Sequence, residues 1–235
     1  MDQNIFRCNS NASVQCSNFG SEREPVLKVC SLMDCVDDIK NYAIEKNDFS
    51  VSDSFYPGVR MSLPDDYVVT VVKYLRAYIE GFFGCNLRQI KSAASRFSMV
   101  TQSTDSLSLL QRIPHFDAPS KKSLAMVHYL CDAPDSGTAM YRHIELGYEF
   151  IDSERYQSYL AAIQRQFPAR DSYPEGYIYQ STDEFEQIES FQAVYNQLIV
   201  YRGSSLHSGI IGPNYSFDPN PATGRLTITT FIEFK

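Results

Sequence analysis

The spacing of apolar residues changes character once along this chain. In the segment opened by Leu63-Pro64-Asp65-Asp66, residues Val68, Val71, Val72, Leu75, Tyr78, Ile79 and Phe82 recur at three and four residue steps, which predicts a helix with one stripe facing a core. After Gly84 the step shortens to two. SRFSMVTQ (95–102), AMVHYLCD (125–132), TAMYRHIELGYEF (138–150), FQAVYNQLIVYRG (191–203) and RLTITTFIEF (225–234) read as strands, with a helix inserted among them over 153–167. Upstream, VLKVCSL (26–32) alternates as a short strand, and DCVDDIKNYAIEK (34–46) suits a helix whose early acids complement its N-terminus. Residues 1–23 are rich in Asn and Ser and lack any hydrophobic period, so a polar, disordered leader is expected there. Helices first and strands afterwards predict a mainly β protein with supporting α-helices. It reads as a single domain over 24–235, with 24–90 mostly helical support and 91–235 a barrel core.

The last strand carries the most information. Leu226, Ile228, Thr230, Ile232 and Phe234 alternate with Arg225, Thr227, Thr229, Phe231 and Glu233, giving one apolar and one largely polar face. A half-buried sheet turns its polar face to solvent, whereas a barrel that holds a ligand turns it inward near the mouth. Alternation alone leaves Arg225 as either a solvated charge or a ligand anchor.

Composition narrows the function classes. With 235 residues, 43% of them hydrophobic, and no Gly/Ser-rich linker, the chain is long enough for one full core. The net charge of -7 with scattered Lys and Arg lacks the basic patch of a nucleic-acid binder. The most apolar stretch, Tyr67 to Phe83, is interrupted by Lys73, Arg76 and Glu80, so no membrane span is expected. The polar opening does not read as a secretory signal, and a cytoplasmic location is expected. Six cysteines without a CxxC pair read as free thiols. Neither a nucleotide-binding glycine loop nor HExxH nor GxSxG occurs.

The candidate chemistry lies in the histidines. In RIPHFD, His115 and Asp117 sit two residues apart and share one side of an extended segment. With His207 in GSSLHSG they make two imidazoles and one carboxylate, the donor set of non-heme Fe(II) oxygenases, which leaves metal positions open. A His-x-acid match is weak by itself: four histidines and 28 acids in 235 residues supply about 0.5 by chance. MYRHIELG holds a second one, His143 and Glu145, which can also pair with His207.

The order HFDAP, VHYLC, DSGTAMY, LIVYRGSSLHSG and GRLTITTFIEF resembles the Fe(II)/2-oxoglutarate-dependent oxygenase superfamily, closest to its prolyl-hydroxylase-like branch, over roughly residues 90–235. SDSFYPGVRMSLP and RHIELGYE are also similar to segments of an uncharacterised bacterial family placed near it. The resemblance implies a double-stranded β-helix (jelly-roll, cupin-like) core and a dioxygenase that couples oxidative decarboxylation of 2-oxoglutarate to succinate with hydroxylation of a small molecule, amino acid or peptide. It implies His115, Asp117 and His207 as Fe(II) ligands and Arg225, Tyr129 and Thr227 as binders of the co-substrate. His143 and Glu145 then fall to substrate contact or structure. Arg60, beside the turn Tyr56-Pro57-Gly58, is a candidate for an acidic substrate group or for a surface salt bridge. Asp117 argues against a halogenase, in which that ligand is missing. The sequence departs from the branch at Cys131, at Ser136-Gly137 in place of a double glycine, and in the long GPNYSFDPNPATG loop. Two other readings fit the same residues: a non-catalytic barrel, metal-binding or metal-free, serving as a recognition module, and a cupin-like metalloenzyme independent of 2-oxoglutarate.

Overall fold

The computed structural model describes residues 5–51 and 55–235. Residues 1–4 of the expected leader, and residues 52–54 within SDSFYPGVRMSLP, lie outside the described residues. Strands hold 36% of the described residues and helices 22%, so the protein is mainly β. In chain order the elements are β1 (Ser13–Phe19), β2 (Glu24–Cys30), α1 (Val36–Lys46), β3 (Ser50–Val51), β4 (Gly58–Ser62), α2 (Asp65–Tyr74), α3 (Arg76–Gly81) and β5 (Ile90–Val100). They continue with α4 (Leu109–Arg112), β6 (Ser123–Tyr129), β7 (Ala133–His143), α5 (Tyr156–Gln166), β8 (Phe185–Ala193), β9 (Leu198–Arg202), β10 (His207–Ile211) and β11 (Thr227–Phe234).

All pairings are antiparallel and build two sheets. The large one runs β1-β2-β9-β6-β11-β5-β4-β3, and the small one β10-β7-β8. The alternation of β11 explains how both faces of the large sheet are used. Ile228, Ile232 and Phe234 join Phe97, Met99, Leu124, Met126 and Val200 in a core cluster closed by Ile39 and Ala43 of α1 and by Val68, Val71 and Val72 of α2. Each such aliphatic side chain contributes about 1.5–3 kcal/mol by leaving water. Arg225, Thr227, Thr229 and Phe231 face the other way and line a cleft shared with the small sheet. Beside the cleft the two sheets pack directly on each other, with Ala125, Tyr129, Ile199 and Tyr201 against Met140 and Ala193.

Four expectations need correction. Residues 13–19, expected as disordered leader, form β1, which pairs with β2 from Ser13↔Cys30 to Phe19↔Glu24. The segment shows no hydrophobic period because an edge strand is held through its backbone, with Phe19 its one buried side chain. The region 24–90, expected to be mostly helical, supplies β2, β3 and β4 to the large sheet as well as α1 to α3. The stripe over 65–82 is two helices, since the backbone leaves helical geometry at Leu75 (ψ 7°). Likewise FQAVYNQLIVYRG is not one strand but crosses between sheets: β8 ends in the small sheet at Ala193 and β9 begins in the large one at Leu198, with Asn196 between them at a positive φ of 60° and its carboxamide bonding both the N–H and the carbonyl of Met33.

Candidate metal centre and its cleft

His115 reaches His207 because two chain segments are zipped together by their backbones. Each of the two residues donates its N–H to the other's carbonyl at 2.8 Å, and the Asp117 N–H donates to the Gly203 carbonyl at 2.7 Å. The side chains that emerge converge. The Nε2 of His207 lies 3.6 Å from Asp117 Oδ2, and the Nε2 of His115 lies 4.0 Å from Asp117 Oδ1. One ligand atom from each residue falls within 4.8 Å of the others, and among the described residues no other three His, Cys, Asp or Glu side chains do so.

The electrostatics suit a cation. The Nδ1–H of His207 donates to the Ser205 carbonyl at 2.9 Å, which fixes the proton there and leaves the Nε2 lone pair facing Asp117. Burial pushes His207 down to about 4. His115 is likewise pushed down to about 4, by the loss of solvent around it and by His207, although its ring edge opens to the cleft. Both rings are therefore neutral at pH 7. Burial raises the Asp117 carboxyl to about 6 against the pull of His115 and Arg60. The Nε2 lone pair of His207 and the Asp117 carboxylate, aimed at one point, repel each other unless a cation or a proton sits between them. Neutral imidazole and carboxylate are donors that suit Fe(II).

The cleft beyond these residues has a volume of about 150 Å³. At its inner end lies Arg225, 8% exposed. Its Nε–H donates to Ser136 Oγ at 2.6 Å and its Nη2 to the Gly137 carbonyl at 2.8 Å. Among the described residues no carboxylate lies within ion-pair distance of this buried guanidinium. Thr227 lines the cleft too, but its hydroxyl donates to the Ser98 carbonyl at 3.0 Å and is left only as an acceptor. Tyr129 is fully buried behind the cleft wall, its hydroxyl 2.8 Å from Thr138 Oγ1, and Thr138 is the residue that lines the cleft.

His143 and Glu145 are not brought to this cleft. In β7, Ala139 and Tyr141 point away from the large sheet into the cluster around α5, and His143 follows them by the period of two. Its ring packs on Tyr159 and Phe185, and its Nε2 lies 2.9 Å from Gln166 Oε1. Glu145 is exposed and pairs with Arg165. Of the two roles left open for them, substrate contact or structure, these contacts are structural: His143 packs in the cluster around α5 and Glu145 pairs at the surface. Arg60 does line the cleft.

Three residues in or behind the cleft wall carry no sequence signal of their own. Tyr201 sets its ring 4.7 Å from that of His207. Ser136 receives Arg225 while donating to the Ile210 carbonyl at 3.0 Å, and Thr138 reaches the cleft two residues on. The Ser136-Gly137 dipeptide, visible as a departure from a double glycine, was the available hint. Gly137 is needed because any Cβ there would collide with the Phe191 carbonyl on β8.

Residues 10–232 match the model of a family described as "Family of unknown function (DUF6445)". No curated protein matches the chain by sequence. Among solved structures, a Pseudomonas putida prolyl-4-hydroxylase aligns with a TM-score of 0.46 at 11% identity, covering 91% of this chain and 95% of that one. The epimerase SnoN, in complex with Fe3+, alpha ketoglutarate and nogalamycin RO, aligns with a TM-score of 0.48 at 11% identity, over 91% and 80%. HygX from Streptomyces hygroscopicus, with nickel, 2-oxoglutarate and hygromycin B bound, gives 0.45 at 9%, over 89% and 83%.

Proposed function

The chain belongs to the family of unknown function DUF6445, a membership that names no chemistry, and from the cleft itself we propose that it is an Fe(II)- and 2-oxoglutarate-dependent oxygenase. The observation that carries this reading is one cleft with a three-donor metal site at one wall and a buried arginine lacking any carboxylate partner among the described residues at its inner end. Its core is, on this reading, a double-stranded β-helix, with the small sheet as one wall and the β9-β6-β11-β5 part of the large sheet as the other. Residues 24–235 form one domain, to which β1 is added as an edge.

His115, Asp117 and His207 would hold Fe(II), with the Ser205 carbonyl orienting His207. With 2-oxoglutarate and dioxygen, the iron would supply oxidation of a substrate C–H bond, one oxygen atom passing to the substrate and the other to the succinate formed as the co-substrate loses CO2. Arg225 anchors the far carboxylate of the co-substrate, and its two hydrogen bonds to Ser136 and Gly137 keep the guanidinium from turning away. Thr138, steadied by Tyr129, presents a hydroxyl at the same wall. Tyr201, Val127 and Ile211 contribute apolar wall to the space between anchor and metal site.

The test is an anaerobic titration of the Fe(II) protein with 2-oxoglutarate, followed by the visible metal-to-ligand charge-transfer band. A saturating band is expected in the wild type. Arg225→Gln should still bind iron but require roughly 10- to 100-fold more 2-oxoglutarate, the worth of one charge-assisted hydrogen bond. Iron binding without any band favours a metalloenzyme or metal-binding module that does not use 2-oxoglutarate; absence of iron binding ends the reading altogether.

A further inference from the structure

Arg225 does more than end the cleft, because it stands between two open spaces. Thr138 and Thr227 line the metal cleft, Ser136 lines a second cavity of about 680 Å³, and among the described residues Arg225 alone borders both. Cys131 and Tyr215, which line the second cavity, are near enough to the guanidinium to act on its charge. The side chain therefore has space on the side away from the metal site as well as toward it.

What holds it forward is a pair of hydrogen bonds. The Arg225 Nε–H donates to Ser136 Oγ at 2.6 Å, and Nη2 donates to the Gly137 carbonyl at 2.8 Å. The Ser136 hydroxyl commits its own proton to the Ile210 carbonyl at 3.0 Å, so a lone pair is left for the guanidinium and the clip is tied to both β7 and β10. Ser136 is buried, which limits competition from water for either bond. A long side chain with space behind it samples several rotamers unless such bonds select one. The second cavity also offers the guanidinium other partners. Asp132, Asp135 and Asp218 line it, and none of them is within ion-pair distance of Arg225 in its clipped position.

We propose that Ser136 sets the length of the co-substrate. By clipping Arg225 to the small sheet it fixes the span between anchor and metal site at that of the five-carbon 2-oxoglutarate. Without the hydroxyl the guanidinium retreats into the second cavity, and the same site takes the six-carbon 2-oxoadipate. The inference rests on the oxygenase reading for its co-substrate and adds a selecting residue to it. Ser136 is a positioning residue that acts through Arg225. A ligand held at both ends is measured by the distance between its holders, and an anchor that cannot move rejects an extra methylene. Such discrimination amounts to about 10- to 200-fold.

The full chain is loaded with Fe(II) without oxygen, and its visible charge-transfer band is titrated with 2-oxoglutarate and with 2-oxoadipate, so that binding is read without turnover. The wild type is expected to bind the shorter acid about 10- to 200-fold more tightly. Ser136→Ala and Ser136→Gly, two independent ways of removing the hydroxyl, should each lower that preference by about tenfold or more, with 2-oxoadipate bound more tightly than by the wild type. Ser136→Thr keeps the hydroxyl and should keep the preference, and iron content should be the same in every variant. A wild type that does not discriminate, a preference unchanged by loss of the hydroxyl, or a weakening of both acids in step overturns this proposal alone, since the 2-oxoglutarate band is then present in the wild type. No band with either acid overturns the oxygenase reading and this inference with it.

Discussion

Two histidines that look alike in the sequence have opposite surroundings, and a pair of substitutions separates them. His115 carries a ring whose side chain is 46% exposed toward the cleft and whose Nε2 faces Asp117, whereas His143 is wholly buried, wedged between Tyr159 and Phe185 and bonded to Gln166. Removing the His143 ring leaves a cavity and an unpaired carboxamide. His143→Ala is expected to cost about 2–4 kcal/mol of stability and to retain the metal. His115→Ala or Asp117→Ala is expected to lose the metal at a much smaller cost in metal-free stability, because the deleted groups pack against little. Metal content after desalting, together with denaturant melts of the metal-free proteins, reads both effects. A His143→Ala protein that loses iron while His115→Ala keeps it would mean that the wrong imidazole stands at the centre.

At the scale of elements, the strand period was the legible part. The polar set of β11 faces the cleft and its apolar set faces α1 and α2, as a half-polar strand in a ligand-holding sheet should. What alternation could not reveal is register. Ser136 and Thr138 come to Arg225 and the cleft because β7 pairs with β10 from Met140↔His207 to Ser136↔Ile211, and single-chain periodicity carries no information on which residues stand opposite. Edge strands were illegible for a related reason, since β1 is held by its ladder and by polar contacts to a distant loop. There the Glu149 carboxylate accepts from the N–H groups of Ser21 and Glu22 and from Arg142, while Arg155 pairs with Glu22. Burial pushes the Glu149 carboxyl up, but the Glu22 N–H, Arg142 and Ser21 outweigh it and hold it below the ordinary glutamate value. A depressed folded value means that the stabilisation is complete above the unfolded pKa and is lost as pH falls through the folded one. Glu149→Gln should therefore be less stable by about 1–3 kcal/mol at neutral pH and lose less than the wild type on acidification. Amide exchange of residues 13–22 should quicken first. Parallel acid profiles for the two proteins would mean that the carboxylate contributes nothing to holding this edge.

Over the whole molecule, the candidate metal centre joins parts of the chain that no ladder joins. His115 and Asp117 sit on the connection between α4 and β6, and His207 opens β10, so two short backbone contacts hold the site and a cation would tie it a third time. A ligand that binds only the folded chain stabilises it by RT ln(1 + [L]/Kd), about 2.7 kcal/mol at one hundred times Kd. For a domain of this size each kcal/mol moves the melting temperature by roughly 2–4 °C, so filling the site should raise Tm by about 5–10 °C. Adding 2-oxoglutarate should raise it further in the wild type, because the buried Arg225 then gains a carboxylate, but not in Arg225→Gln. The control lies in the same site: His207→Ala should melt at one temperature with metal or with chelator. If chelation leaves the wild-type Tm unmoved while the fold is intact, the three side chains meet without holding a cation. The space between them and Arg225 would then need a different occupant, one whose own charge satisfies the arginine without a metal.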